Sequence, residues 1–226
     1  MITNRDFIET ILESLRSDNI DQFFSRKFIF NVANQYARTY IAQRLSVGRG
    51  QRNPFIFTTL KCFEVKDVDD VDLGGMSAIL CDNLKVSKET LPDIITSSNF
   101  SGIKNITTLD NKKRFQLVDY TKAMNMSNVP NFGKINKSYA FVRDGRLYLT
   151  NTRVSRVKLD VLTLDVFEAK KKDVCYNMGC KSKLDYQFPI QDSLFLNFVA
   201  GVKNELVSIY KRIPEDEILT HSKNEV

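Results

Sequence analysis

The clearest alternation of apolar and polar positions in this 226-residue chain lies between Tyr139 and Glu217. Tyr139-Ala140-Phe141-Val142 and Leu147-Tyr148-Leu149-Thr150 are short β-rich runs, separated by Arg143-Asp144-Gly145-Arg146. An Asp-Gly pair at that place predicts a hairpin, because a type I′ turn needs positive φ at both central residues. From Val157 to Phe167, Val157, Leu159 and Val161 alternate with Lys158 and Asp160; Leu162-Thr163-Leu164-Asp165-Val166-Phe167 then alternates in the opposite phase. The switch predicts a strand with a bulge or bend near Val161-Leu162. Phe195, Phe198, Val199, Val202, Leu206, Ile209, Tyr210 and Ile213 recur at helical spacing behind the capping-type run Gln191-Asp192-Ser193. Asp192 in the first turn and Lys211 and Arg212 in the last suit the helix dipole. Pro214 pushes Ile213 out of the α region, so the helix is expected to end near Arg212. Pro214 with Glu215, Asp216 and Glu217 has the composition of one further helical turn.

The N-terminal fifty residues read as helical. Ile8, Ile11, Leu12 and Leu15 make one apolar stripe, with Thr3 or Asn4 as cap and Ser17-Asp18-Asn19 as breaker. A second helix carries Ile29, Val32, Ala33, Tyr36, Ala37, Tyr40, Ile41 and Leu45 on a broad face, with Gly48 and Gly50 ending it. Between the helical ends the chain reads as mainly β. Strands are expected from Pro54 to Val65, from Gly74-Gly75 to Cys81, at Leu84–Val86 and at Arg114–Val118, besides the hairpin and Val157–Phe167. Segment 121–137, with Asn125, Asn128, Pro130, Asn131 and Gly133, reads as a long loop; a loop of that length is usually functional or ordered by a partner.

These elements predict an α+β fold: N-terminal helices and a C-terminal helix packing together, with a central, mainly antiparallel β region. The expected organisation is a helical segment 1–53, a β region with long loops 54–185, a C-terminal helix 186–219 packed on the N-terminal helices, and a mobile polar tail 220–226.

Composition narrows the class. Hydrophobic residues make up 42% of the chain, ordinary for a globular protein, and no run approaches a membrane span. The start, Met1-Ile2-Thr3-Asn4-Arg5-Asp6, lacks a signal-peptide layout. Four cysteines in a chain of this length do not suggest a disulfide framework, and a reducing compartment is expected. The net charge is +6, and its distribution says more. From Gln22 to Phe63 there is no Asp or Glu, yet Arg26, Lys27, Arg38, Arg44, Arg49, Arg52 and Lys61 all occur; Asp67, Asp69, Asp70 and Asp72 follow. A basic block beside an acidic one suits nucleic acid, or head-to-tail contact between identical subunits.

Catalytic signals are weak. His221 is the single histidine and stands in the polar tail without an evident partner. Cys175 and Cys180 have ligand-like spacing, and zinc would need Cys62 and Cys81 as well; small buried cysteines are the plainer reading. The Asp67–Asp72 run fails the calcium-loop pattern, since Asp72 and Ala78 stand where Gly and Glu are needed. Glu168-Ala169-Lys170 with Pro92-Asp93 resembles the two halves of a nuclease site but is short, and Lys170-Lys171-Lys172 reads as an exposed strand end. No catalytic residue, cofactor or metal is therefore assigned. Arg38, Arg44, Arg49, Arg52, Asp67, Asp69 and Asp70 are the candidates for a subunit interface or a DNA-facing surface. The basic loop Gly48-Arg49-Gly50-Gln51-Arg52 could contact phosphate, solubilise the chain, or dock on the acidic run of a second copy.

Several segments together resemble a known family. They are Tyr139-x-Phe141, the hairpin, and Leu147-Tyr148-Leu149-Thr150-Asn151-Thr152-Arg153-Val154. They continue with Val166-Phe167-Glu168-Ala169, Phe188-Pro189-Ile190-Gln191-Asp192-Ser193-Leu194 and Ile213-Pro214-Glu215-Asp216-Glu217. Upstream, Leu84 to Pro92 and Ile106-Thr107-Thr108-Leu109-Asp110 fit as well. Their order and spacing resemble the head–tail connector (ring or collar) proteins of crAss-like and related short-tailed bacteriophages, over roughly Cys81 to Glu217. The resemblance implies a non-enzymatic virion subunit. Its copies would form a ring, a dodecamer in that family, between portal protein and adjoining tail or ring proteins. The ring would surround the channel that genomic DNA traverses, with assembly in the host cytoplasm and no membrane partner. The alternatives are a basic nucleic-acid-binding protein not built into a virion, and a nuclease.

Overall fold

The computed structural model describes residues 2–47, 57–68, 84–96, 101–127, 138–177, 179–180 and 182–212. It contains helices at both ends and a seven-stranded, mostly antiparallel sheet between them, the α+β arrangement expected. Two compact units separate: Met1–Ile56 with Ser182–Val226, and Phe57–Lys181.

The helical unit holds α1 (Asn4–Arg16), α2 (Arg26–Val47) and α5 (Asp192–Tyr210). Thr3 caps α1 with a full capping box: its hydroxyl accepts the Asp6 N–H, and the Asp6 carboxylate accepts the Thr3 N–H at 3.0 Å. Asn19, at φ 57°, turns the chain after α1, where the Ser-Asp-Asn breaker stands. The apolar stripe of α1 is buried, as are Ile29, Val32, Ala33, Ala37 and Ile41 of α2. Phe198 of α5 is the hub. Its ring centroid lies 5.4 Å from Phe7, 5.4 Å from Phe188, 5.2 Å from Tyr36 and 5.9 Å from Tyr40. The chain ends of this unit are tied by backbone as well: Asn4 N–H donates to the Tyr186 carbonyl at 2.9 Å, and Phe188 N–H to that of Ile2 at 3.0 Å. Helix α5 stops at Tyr210, so Lys211 and Arg212 lie just past its last turn rather than within it, and Gln191 opens it without a side-chain cap bond.

The β unit comprises β1 (Thr58–Asp67), β2 (Lys85–Ser87), β3 (Ile103–Thr108), β4 (Gln116–Leu117), β5 (Tyr139–Arg143), β6 (Arg146–Leu149) and β7 (Arg156–Val161), with α3 (Tyr120–Ser127) and α4 (Val166–Lys171). The order is β3-β7-β1-β2-β6-β5-β4, and only β4–β5 is parallel. The expected hairpin is present with Arg143 opposite Arg146; Asp144 (φ 50°) and Gly145 (φ 71°) form its two-residue turn. Residues 113–118, which include β4, bond to β3 on one side and β5 on the other. On one side Thr108 N–H reaches the Lys113 carbonyl and Phe115 N–H the Ile106 carbonyl, both at 2.9 Å; on the other Gln116 N–H reaches Ser138 at 2.9 Å and Val118 N–H reaches Ala140 at 2.8 Å. The sheet thus closes into a barrel. Leu60, Phe63, Ile106, Phe115, Leu149 and Leu159 share its core. The outer face of β2, β5 and β6 is also covered: Val86, Tyr139, Phe141 and Tyr148 pack with Ala123 of α3.

Several expectations change. The strand after Val157 ends at Val161. Leu162, Thr163 and Leu164 are buried in a connection, and Asp165 then caps α4 by accepting the Glu168 N–H at 2.9 Å. The phase switch therefore marks a strand end and a helix start. The lysine run belongs to α4 and the turn after it, not to a strand end. Segment 121–137 begins as helix, because Ala123 and Tyr120 have an aromatic sheet face to cover; residues 128–137 lie outside the described residues. Strand β1 starts at Thr58 and extends to Asp67; Pro54 and the Gly74–Cys81 strand are outside the described residues. Strand β3 was not expected, since a register shift between Ile103 and Asn105 breaks its alternation. Gly48, Gly50 and Pro214–Glu217 lie outside the described residues.

Candidate functional site

Two places bear on function: the charged candidates, and a buried carboxylate beside one cysteine of β1 and one that follows α4. Arg38 is exposed on α2. Arg44 lies in the same helix, near its end, with its side chain outside the described residues. Arg49, Arg52, Asp69 and Asp70 fall outside them too, as does His221. Asp67 ends β1 and pairs with Lys85 of β2 at 2.6 Å; the Asp67 side chain is 83% exposed. The head of the acidic run is thus engaged within its own unit while still facing solvent.

The second place grows out of the packing of β1. Leu60 pairs with Leu159 and Phe63 with Val157, so Lys61 and Cys62 together stand opposite Lys158 alone. This bulge lets Leu60 and Phe63, three positions apart, both point into the core. It also leaves two backbone donors outside the ladder, which need a partner. Asp173, 2% exposed, supplies it. Its carboxylate accepts the Lys61 N–H at 2.8 Å, the Cys62 N–H at 3.0 Å and the Cys175 N–H at 3.2 Å. Cys62 and Cys175 are joined as a disulfide with Cα atoms 5.4 Å apart, which corrects the expectation of free cysteines; Cys180 is free and exposed. Two of the four cysteines weighed as metal ligands are brought together here, and Cys81 is outside the described residues. Asp173 was missed. Lys-Lys-Asp-Val-Cys has no pattern that marks its carboxylate as buried, since only the bulge gives it a task.

The neighbouring charged groups are occupied in packing. Lys170 donates to the Thr59 carbonyl and lies 4.9 Å over the Tyr176 ring, and burial holds its ammonium below the ordinary lysine range. Glu168 bonds Lys171 at 2.8 Å, and Lys172 bonds the Thr90 carbonyl at 2.7 Å. The Glu-x-Lys pair is thus divided between two structural tasks, and Asp93 offers its backbone carbonyl to the Thr163 hydroxyl at 2.7 Å.

Comparison with known families decides the class. The sequence model of the family described as phage tail ring protein 2 (CrAss_Ring_2) matches residues 6–224. The chain belongs to that family. No curated protein matches it. The match takes in nearly the whole chain, including the N-terminal helices, which lay outside the resemblance drawn from the sequence. For a tail ring protein, side chains committed to holding a scaffold and charged groups left at the surface are an intelligible division. Among the described residues no helix is long and apolar enough to cross a membrane.

Proposed function

We propose that this chain is a structural ring subunit of the phage head–tail connector. Its copies encircle the DNA channel between portal and tail, and it acts by assembly rather than by catalysis. The family match over residues 6–224 carries the reading. The structure is compatible with it: Asp173 and Lys170 are bound to backbone, and Glu168 to Lys171. The ring is a homo-oligomer, dodecameric by the family resemblance, built in the host cytoplasm and carried in the virion. Arg38, Arg44, Arg49 and Arg52 face either a neighbour or DNA, and Asp67, Asp69 and Asp70 are their counterparts on the next copy. Such a contact joins two different patches and closes on rotation.

The test is the triple substitution Arg44→Glu, Arg49→Glu, Arg52→Glu. The variant is expected to fold, by far-UV circular dichroism, and to be missing from particles. Normal incorporation refutes the interface. The excess of basic residues also fits a free nucleic-acid-binding protein. That reading predicts that the isolated chain binds DNA with an affinity that falls steeply with salt, and that the protein is absent from purified virions.

A further inference from the structure

Cys62 and Cys175 are 113 residues apart in sequence, and hydrogen bonds hold them together besides the disulfide. One oxygen of Asp173 accepts the N–H of both cysteines, at 3.0 and 3.2 Å, while the other oxygen takes the Lys61 N–H at 2.8 Å. Val174 N–H adds a bond to the Cys62 carbonyl at 3.2 Å. None of these four hydrogen bonds requires an oxidised pair. The buried carboxylate thus adds its own hold on the two backbones at disulfide spacing. Access differs between the two: Cys62 is 6% exposed, whereas Cys175 is an exposed residue beside Val174, itself 58% exposed.

We propose that Cys62, Asp173 and Cys175 form a reversible thiol–disulfide site: folding positions a dithiol on the Asp173 carboxylate, and a small disulfide of the glutathione class then oxidises it. The exposed Cys175 thiolate attacks one sulfur of the small disulfide. A mixed disulfide forms and one small thiolate leaves. The buried Cys62 thiolate then attacks the Cys175 sulfur, closes the protein disulfide and expels the second small thiolate. Two electrons pass from the protein to the small disulfide, and the two cysteine protons end on the two small thiols. In a reducing solution the reverse exchange restores the dithiol. Asp173 is a positioning residue: it touches neither sulfur in the exchange and acts by holding both backbones. This site does not depend on the ring reading.

Two thiolates and a carboxylate are also a donor set for a thiophilic ion such as zinc. The sulfurs and a carboxylate oxygen lie within 4.8 Å of one another. Against the ion, the Asp173 oxygens already accept three backbone N–H groups that the bulge and turn cannot satisfy otherwise. The redox reading keeps those bonds, and a metal would compete with them.

The experiment uses the full chain with Cys81→Ser and Cys180→Ser, equilibrated across ratios of reduced to oxidised glutathione, then acid-quenched, alkylated and weighed by mass spectrometry. The folded protein should show one two-electron transition. Its midpoint should need about a thousandfold more reducing conditions than in concentrated guanidinium, because the unfolded chain must close the long loop by itself. Adding Cys62→Ser should trap glutathione on Cys175, whereas adding Cys175→Ser should leave Cys62 unmodified. Asp173→Asn, if it folds, should move the folded midpoint toward the unfolded one and prolong the mixed disulfide. Coincident folded and unfolded midpoints, glutathione trapped on Cys62, or stoichiometric zinc in the reduced protein would each overturn the proposal.

Discussion

Gly201 offers a test in which two opposing effects can be weighed. It lies in the middle of α5, where glycine is unfavourable, and Gly→Ala in a helix interior ordinarily stabilises by about 1 kcal/mol. Here a methyl group would overlap Tyr36 Oη and lie 2.5 Å from Cζ and 2.9 Å from Cε1. Two neighbouring rings restrict how the Tyr36 ring can move. Its centroid is 5.2 Å from that of Phe198 and 6.2 Å from that of Tyr40, so it is wedged among aromatics. Overpacking of this kind costs about 1–3 kcal/mol, and a rigid ring flanked by Phe198 and Tyr40 places it at the upper end. The clash should win, leaving Gly201→Ala destabilised by about 2 kcal/mol. For a unit of this size that is a fall in Tm of roughly 10 °C. Thermal and urea unfolding followed by far-UV circular dichroism would report the helical unit, since the chain has no tryptophan to read by fluorescence. The decisive arm is the cycle with Tyr36→Ala. In that background Gly201→Ala should become stabilising by about 1 kcal/mol, giving a coupling of about 3 kcal/mol between the two sites. A single Gly201→Ala variant more stable than the parent would show that α2 and α5 do not meet at Tyr36.

Two further outcomes are expected. Replacing Gly145 by Ala should cost about 1–2 kcal/mol, because φ is 71° and the space beside it is open, so only backbone strain acts; a hydrogen-exchange map should show the loss confined to β5 and β6. Acid should destabilise the chain through carboxylates held below their ordinary values. These are Glu64 by the Lys88 ammonium, Asp18 by Lys203, Asp185 by the Ser182 N–H and Asp6 by the Thr3 N–H. Between those lowered folded values and the ordinary 3.8 and 4.5 the unfolded chain binds more protons, so stability falls as pH drops through that window. Urea midpoints that stay level from pH 5 to pH 3 would contradict this.

What could be read from the sequence was what neighbours in the chain decide. Asp144-Gly145 sets its own turn, Thr3 and Asp6 close their own capping box, and the stripe of α5 needs only helical spacing. What could not be read was decided by distant partners. Tyr120–Ser127 is helical because an aromatic sheet face lies under it. The Leu162–Phe167 alternation looked like strand until Asp165 capped α4. Cys62 and Cys175 stand in the sequence reading as two of four possible metal ligands and not as a bonded pair, because a separation of 113 residues gives no spacing signal and Asp173 is defined only by the bulge it satisfies.

The closed barrel changes how neighbours in a ring would meet. The segment 113–118, which contains β4, takes the outer side of β3 at residues 106–108 and the outer side of β5. Addition of a neighbour's strand along a full edge is thereby excluded among the described residues, which is the usual way a β-protein is protected from unwanted pairing. Large exposed apolar side chains there are few and divided between units: Phe28 and Leu196 on the helical one, Leu109 and Val174 on the β one. A stable interface buries about 800 Å² on each partner. Four such side chains cannot supply that area, so what the described residues bring to the contacts of the proposed ring is mostly polar and charged. Reversing arginines should therefore disturb assembly more than trimming Leu196 or Phe28 to Ala, and the opposite ranking would assign the ring contact to the helical unit's apolar residues.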